Sequence, residues 1–228
     1  RADAATEVLR AMVACGTYWE SASPALWVRA LQRLVNRRPP PTSINRGFDM
    51  RFLPALLVYY SAGIGAVAGG RYETLRAVLL DTKIAEYERE VPIVRLLSAI
   101  EVLEPRFGQL LPPRRNVKFP TSDYLEAVLR PTLQLVQVID SEYVEAFDRF
   151  EYLVALVRAY EDLREGRGGW APLGQYAWRK SIVGKVEREI AEQGVTWPAT
   201  VLFQGMVNFD RVNEARAIVA ELARPFGW

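Results

Sequence analysis

The sequence predicts an all-α fold. Apolar residues recur at three- and four-residue spacing along nearly the whole chain, and sustained alternation is absent. Half of the 228 residues are hydrophobic, enough to fill a buried core. The expected architecture is a set of helical hairpins packed as an irregular bundle or a short solenoid-like array.

The elements follow in order. A first helix runs from about residue 3 to 15 and stops at Gly16, with Val8, Leu9, Met12 and Val13 forming an apolar core pattern around Cys15. Ser23 serves as the N-cap of a second helix. Pro24 sits in its first turn, and Trp27, Ala30, Leu31 and Leu34 form its apolar face. The proline-rich segment 36–47 reads as a linker. A third helix starts near Asp49 and carries Leu53, Leu56, Leu57, Tyr60, Ile64 and Val67; a fourth follows Gly70 with Tyr72, Leu75, Val78 and Leu79.

Another helix spans Pro92 to about Leu103, and a basic connector at 105–120 divides an N-terminal subdomain, 1–104, from a C-terminal one, 121–228. Beyond it the pattern gives helices at 122–129, from Pro131 to Ile139 and from Ser141 to Glu165. The last of these buries Tyr143, Phe147, Phe150, Val154 and Val157, while Glu142, Glu145 and Arg149 face water. Helices at 181–192, 198–207 and 210–223 close the chain.

The stretch "SAGIGAVAGGRY", 61–72, admits three readings. As a phosphate loop it fails: Gly63 to Ala68 fits G-x-G-x-x-A, but no strand–helix alternation surrounds it, and Arg71-Tyr72 stand where a P-loop needs Lys and Ser/Thr. As a membrane span the uncharged run Phe52 to Gly70 barely suffices in length, and a proline, two tyrosines and many small residues interrupt it. As a helical hairpin its small residues admit a neighbouring backbone, and Gly69 or Gly70 supplies the left-handed residue that ends a helix. The third reading is preferred, with no membrane partner.

The segment "YYSAGIGAVAGGRYETLRAVL" resembles a tetratricopeptide-type hairpin, and "LFQGMVNFDRVNEARAIVAEL" repeats its gist. Together with "FDRFEYLVALVRAYEDL" and "GWAPLGQYAWRK", the first also resembles helical C-terminal regions of multidomain bacterial proteins with NTPase-, Sir2- or TIR-like effector parts, of the antiphage-defence kind. The resemblance implies a sensing or assembly module with the chemistry elsewhere in a parent chain, and it carries over no catalytic residue. The start at Arg1, without a leader, fits a piece of a longer protein.

Composition narrows the chemistry. Histidine is absent, which excludes Ser-His-Asp and Cys-His catalysis and histidine-ligated metals unless another chain supplies the imidazole. A single Cys15 in an apolar pattern predicts an inert core thiol and a reducing cytoplasm. The net charge of +2 is too small to declare a nucleic-acid partner. No cofactor and no metal site are expected.

Three acidic groups, at Asp81, Glu86, Glu88 and Glu90, at Glu142, Glu145, Asp148 and Glu151, and at Glu161, Asp162 and Glu165, read as solvated helix faces. The loop 166–180 is the leading candidate site. Trp170, Tyr176 and Trp178 stand beside Arg167, Arg179 and Lys180, a set that could stack a base and hold a phosphate, plug the core, or contact a protein. Arg114 and Arg115 in the connector could add to an anionic surface. The expected function is a non-catalytic interaction, sensing or assembly module that binds other domains of its parent chain or itself. The alternative is a nucleic-acid or nucleotide-ligand binder using 167–180, and an enzyme is third.

Overall fold

The computed structural model describes residues 2–20, 23–36, 52–86, 89–103, 117–134, 140–203 and 209–227. Over these the fold is all-α with one small β-hairpin. Helices α1 (Ala2–Tyr18), α2 (Pro24–Asn36) and α3 (Leu53–Ala68) lead to α4 (Tyr72–Arg76), which continues as a π-helical turn, Ala77–Asp81. Strands β1 (Lys83–Glu86) and β2 (Arg89–Pro92) follow, then a 3-10 turn (Ile93–Arg95) and a short helix α5 (99–103). The second half comprises α6 (Pro120–Gln134), α7 (Asp140–Arg164), α8 (Gln175–Arg179), α9 (Ser181–Gln193) and α10 (Phe209–Ala223), with 3-10 turns between α9 and α10 and after α10.

Two helices form the centre. Every residue of α3 from Ala55 to Val67 is buried, as expected of a helix apolar all round. It crosses α7, whose residues from Phe150 to Val157 are also all buried. Glycine permits the crossing: a Cβ at Gly63 would sit inside the ring of Phe150. On the other side α1 lies along α3, and a Cβ at Gly65 would come within 2.5 Å of the Ala14 carbonyl oxygen. Gly70, at φ 66°, then ends α3 in a Schellman motif, with Arg71 N–H donating to Ala66 O and Gly70 N–H to Val67 O. The phosphate-loop geometry is therefore absent, and these glycines serve packing and the turn.

Several expected boundaries move. α1 runs past Gly16 to Tyr18, since Gly16 faces the packed side and need not break the helix. The helices expected at 122–129 and after Pro131 are one helix, α6, with Pro131 inside it. Pro131 orphans the carbonyl of Ala127, and the carbonyls on either side of that one are held from other helices. Tyr143 donates to Glu126 O at 2.6 Å, and Arg10 to Val128 O at 3.4 Å.

The helix expected from Pro92 to about Leu103 starts later: Pro92 ends a β-hairpin, a 3-10 turn occupies Ile93–Arg95, and the helix is confined to 99–103. Ile84 pairs opposite Val91, and both are buried. Each strand offers the core so few inward apolar residues that a period of two never becomes visible. Ser98 then caps α5, its Oγ accepting from Glu101 N–H at 3.2 Å.

The linker 36–47 lies outside the described residues beyond Asn36, as does most of the connector 105–120. Helices on its two sides, α3 and α7, meet in one core.

Candidate functional site

The loop between α7 and α9 places its candidate residues in three different environments. Gly166, at φ 67°, ends α7 in a second Schellman motif, with Arg167 N–H donating to Asp162 O. Arg167 is exposed and pairs with Glu165 at 2.9 Å. Trp170 is partly buried, its ring under the Arg158 guanidinium at 5.3 Å. Tyr176 is wholly buried, donates to Pro172 O at 2.9 Å and lies against Tyr152. Tyr176 thus lies in the core, while Trp170 stays at its edge.

Arg179 reaches inward and forks between two carboxylates, Asp148 at 2.9 Å and Glu126 at 2.5 Å. Lys180 takes a left-handed conformation between α8 and α9 and donates to Gly227 O. Trp178 alone of the three aromatics points out, at 43 % exposure, with Lys118 Nζ 5.5 Å from its ring centroid. Phe119, the next residue, packs on Phe226 at 4.8 Å. The structure thus brings the end of the connector to the one outward aromatic of the loop. Arg114 and Arg115 lie outside the described residues.

Beneath α8 is a buried carboxylate group that corrects the expectation of solvated faces. Asp148, Glu151, Glu161 and Asp162 are all buried; among the second acidic group only Glu142 and Glu145 face water. Arg149, expected in water, instead pairs with Glu189 on α9. The physical reason is that each buried acid meets an arginine or a hydroxyl: Asp148 pairs with Arg179 of α8, Asp162 with Arg95 and with Arg158 of its own helix, and Glu161 with Arg164 of its own helix. Glu151 receives Tyr60 Oη at 3.2 Å, Ser122 Oγ at 2.7 Å and Gln175 N–H at 3.2 Å, drawing α3, α6 and α8 onto α7. Gly174 makes this possible, because any side chain there would collide with the Glu151 carboxylate.

Burial pushes the Glu151 carboxyl up to about 8 and nearby Asp148 adds to the shift, while the Ser122 and Tyr60 hydroxyls and the Gln175 amide oppose it. Burial likewise raises Asp148 to about 7 against the pull of Arg179. A third acid, Glu101, is raised by burial to about 7, opposed by Arg158 and Ser98. Raised carboxyls of this kind also occur at catalytic sites. Here the oxygens of Glu151 are engaged by three donors that each belong to a packed element. Among the described residues no group of three or more acidic, Cys or His side chains could hold a metal ion.

The sequence reading missed the outer face of α1. The apolar pattern around Cys15 places Val8, Leu9 and Met12 in the core. The structure turns them out: Val8 is 58 % exposed, Leu9 40 %, Met12 65 % and Trp19, just past the helix, 53 %, while Cys15 is half-buried. Facing inward are Arg10, Val13, Ala14, Gly16 and Thr17. Arg10 reaches the Val128 carbonyl, and Thr17 donates back to its own helix at Val13 O, 3.0 Å. The signal was present: two apolar lines run along α1, and the one containing Gly16 and Ala14 is the one narrow enough to lie against the glycines of α3. Among the described residues no helix is long and apolar enough to cross a membrane. Compared with protein-family models, with curated proteins and with solved structures, the chain matches none of them.

Proposed function

We propose that the chain is a non-catalytic helical interaction module that presents the outer face of α1 to another protein. One observation carries the reading: α1 carries a second apolar line on its outer side, where a surface helix carries charge. A surface helix ordinarily buries its apolar side and turns charge to water. Between Glu7 and Glu20 the only charged residue of this segment is Arg10, and it is turned inward, whereas Val8, Leu9, Met12 and Trp19 face out. Contiguous exposed apolar surface of this kind marks contact sites. The resemblance of 59–79 to helical regions of multidomain proteins is in keeping with such a role.

A photo-crosslinking residue placed at position 12 in cells tests this, with Glu192, exposed on α9, as the control position. Protein adducts should form from position 12 and be lost on Trp19→Ser. Adducts no more abundant than from position 192 would end the reading.

A second reading, a binder of single-stranded nucleic acid or a nucleotide, is favoured by the placement of Lys118 over the exposed ring of Trp178, with Lys180 nearby in sequence. Salt-sensitive binding of a single-stranded oligonucleotide, weakened by Trp178→Ala and by Lys118→Ala, is its expected signature. No binding at low salt would exclude it.

A further inference from the structure

We infer that the partner of α1 is α1 of a second copy of this chain, paired antiparallel about a two-fold axis. The inference rests on the interaction reading above and names its occupant.

The argument begins with spacing. The exposed Val8, Met12 and Trp19 and the half-buried Cys15 between them fall at intervals of four, three and four, the spacing of a seam between two packed helices. That interval pattern is the same read from either end. Two copies laid antiparallel, with the axis between Met12 and Cys15, therefore place Trp19 opposite Val8 of the partner and Met12 opposite its Cys15. Each layer sets a larger side chain against a smaller one, as close packing requires. A two-fold interface uses the same patch on both subunits, so a patch must be complementary to itself, and this one is.

Charge agrees with the arrangement. A face bearing one sign of charge would repel its own copy, but from Val8 to Trp19 the outward line has none, because Arg10 is spent on Val128 inside the fold. One flank is small as well: the half-buried Ala11 borders the stripe and adds no bulk between two helix axes. In area, the exposed parts of Val8, Leu9, Met12 and Trp19 amount to roughly 400 Å² at the ~150–250 Å² that large side chains offer. Two copies then contribute about 800 Å² of apolar centre, which a polar rim extends toward the ~1,200–2,000 Å² of stable interfaces.

Two measurements on the whole chain test the inference. Light scattering should give twice the 25.8 kDa chain mass. Met12→Glu, at a position open enough to leave the fold and its circular dichroism unchanged, should raise the dissociation constant at least about a hundredfold, since the axis would bury two carboxylates. For the register, chains carrying Cys15→Ala with either Val8→Cys or Trp19→Cys are oxidised separately and mixed. The mixture should give the covalent dimer and Val8→Cys alone should not, its two sulfurs lying about 16 Å apart along the axis at ~1.5 Å per residue. A dimer in which Val8→Cys links to itself overturns the antiparallel pairing. A wild-type chain that stays monomeric at the highest concentration it tolerates overturns the second copy as partner. In that case, adducts from position 12 to a different protein leave the interaction reading standing, and their absence removes both.

Discussion

Tyr60 on α3 donates its hydroxyl to Glu151 on α7 at 3.2 Å, a bond between residues 91 apart in sequence at the centre of the core. Burial raises the Glu151 carboxyl to about 8, and with its neighbours this gives the fold a predictable pH dependence.

The carboxyl of Glu151 sits at about 8 in the folded chain against an ordinary 4.5, so the folded state holds a proton that the unfolded state has released. Folding stability should therefore fall as pH rises through this window and level off above about 8. Asp148 and Glu101, each raised to about 7, act in the same direction. Thermal unfolding followed from about pH 5 to about pH 9 should show the decline, and Glu151→Gln should flatten part of it. Glu151→Ala leaves three donors unmet and should cost about 2–4 kcal/mol near pH 5, and less as pH rises and the wild type itself loses stability.

The fork of Arg179 between Asp148 and Glu126 should tie α8 to both α7 and α6. The Asp148 side chain is 1 % exposed and Arg179 29 %, so the loss on Arg179→Ala is expected near 2 kcal/mol once solvent screening is allowed for. Amide exchange across 170–180 should quicken in the same variant. Adding Asp148→Asn, which removes the stranded charge, should restore part of the stability.

Gly63 and Gly65 should resist substitution for different reasons. Gly63→Ala drives a methyl into the Phe150 ring and should cost about 1–3 kcal/mol, recovered in part by Phe150→Leu. Gly65→Ala meets the Ala14 carbonyl, which is backbone, so no side-chain change at Phe150 should relieve it. Denaturant unfolding of the single and double variants separates the two cases.

The aromatics of the 166–180 loop should divide sharply. Tyr176→Ala empties a fully buried site and should cost about 3–5 kcal/mol by chemical unfolding. Trp178→Ala removes a ring that is 43 % exposed and should cost under about 1 kcal/mol. Equal losses would mean that Trp178 is part of the core after all.

What could be read from the sequence was whatever is encoded locally. Ser23-Pro24 ahead of α2, the length of α7 and the turn at Gly70 follow from residues within one helical turn of the feature. The β-hairpin was hidden because Ile84 and Val91 provide too short an alternation to stand out. Orientation was hidden for a different reason. The burial of Glu151 depends on Tyr60, Ser122 and Gln175, which arrive from three other elements, and no property of "DRFEYL" announces them. On α1 both sides are apolar, so the direction it faces is decided by the glycines of α3, about fifty residues away.

Both central helices end at a left-handed glycine, Gly70 after α3 and Gly166 after α7, each followed by an arginine that closes the motif onto its own helix. Such a stop is made of backbone within six residues and needs no tertiary contact to act. Each helix can therefore acquire its final length while the chain is still open. When α3 and α7 meet, Gly63 then has one place on α7 to go, and the order in which the core assembles is relieved of a search over helix lengths.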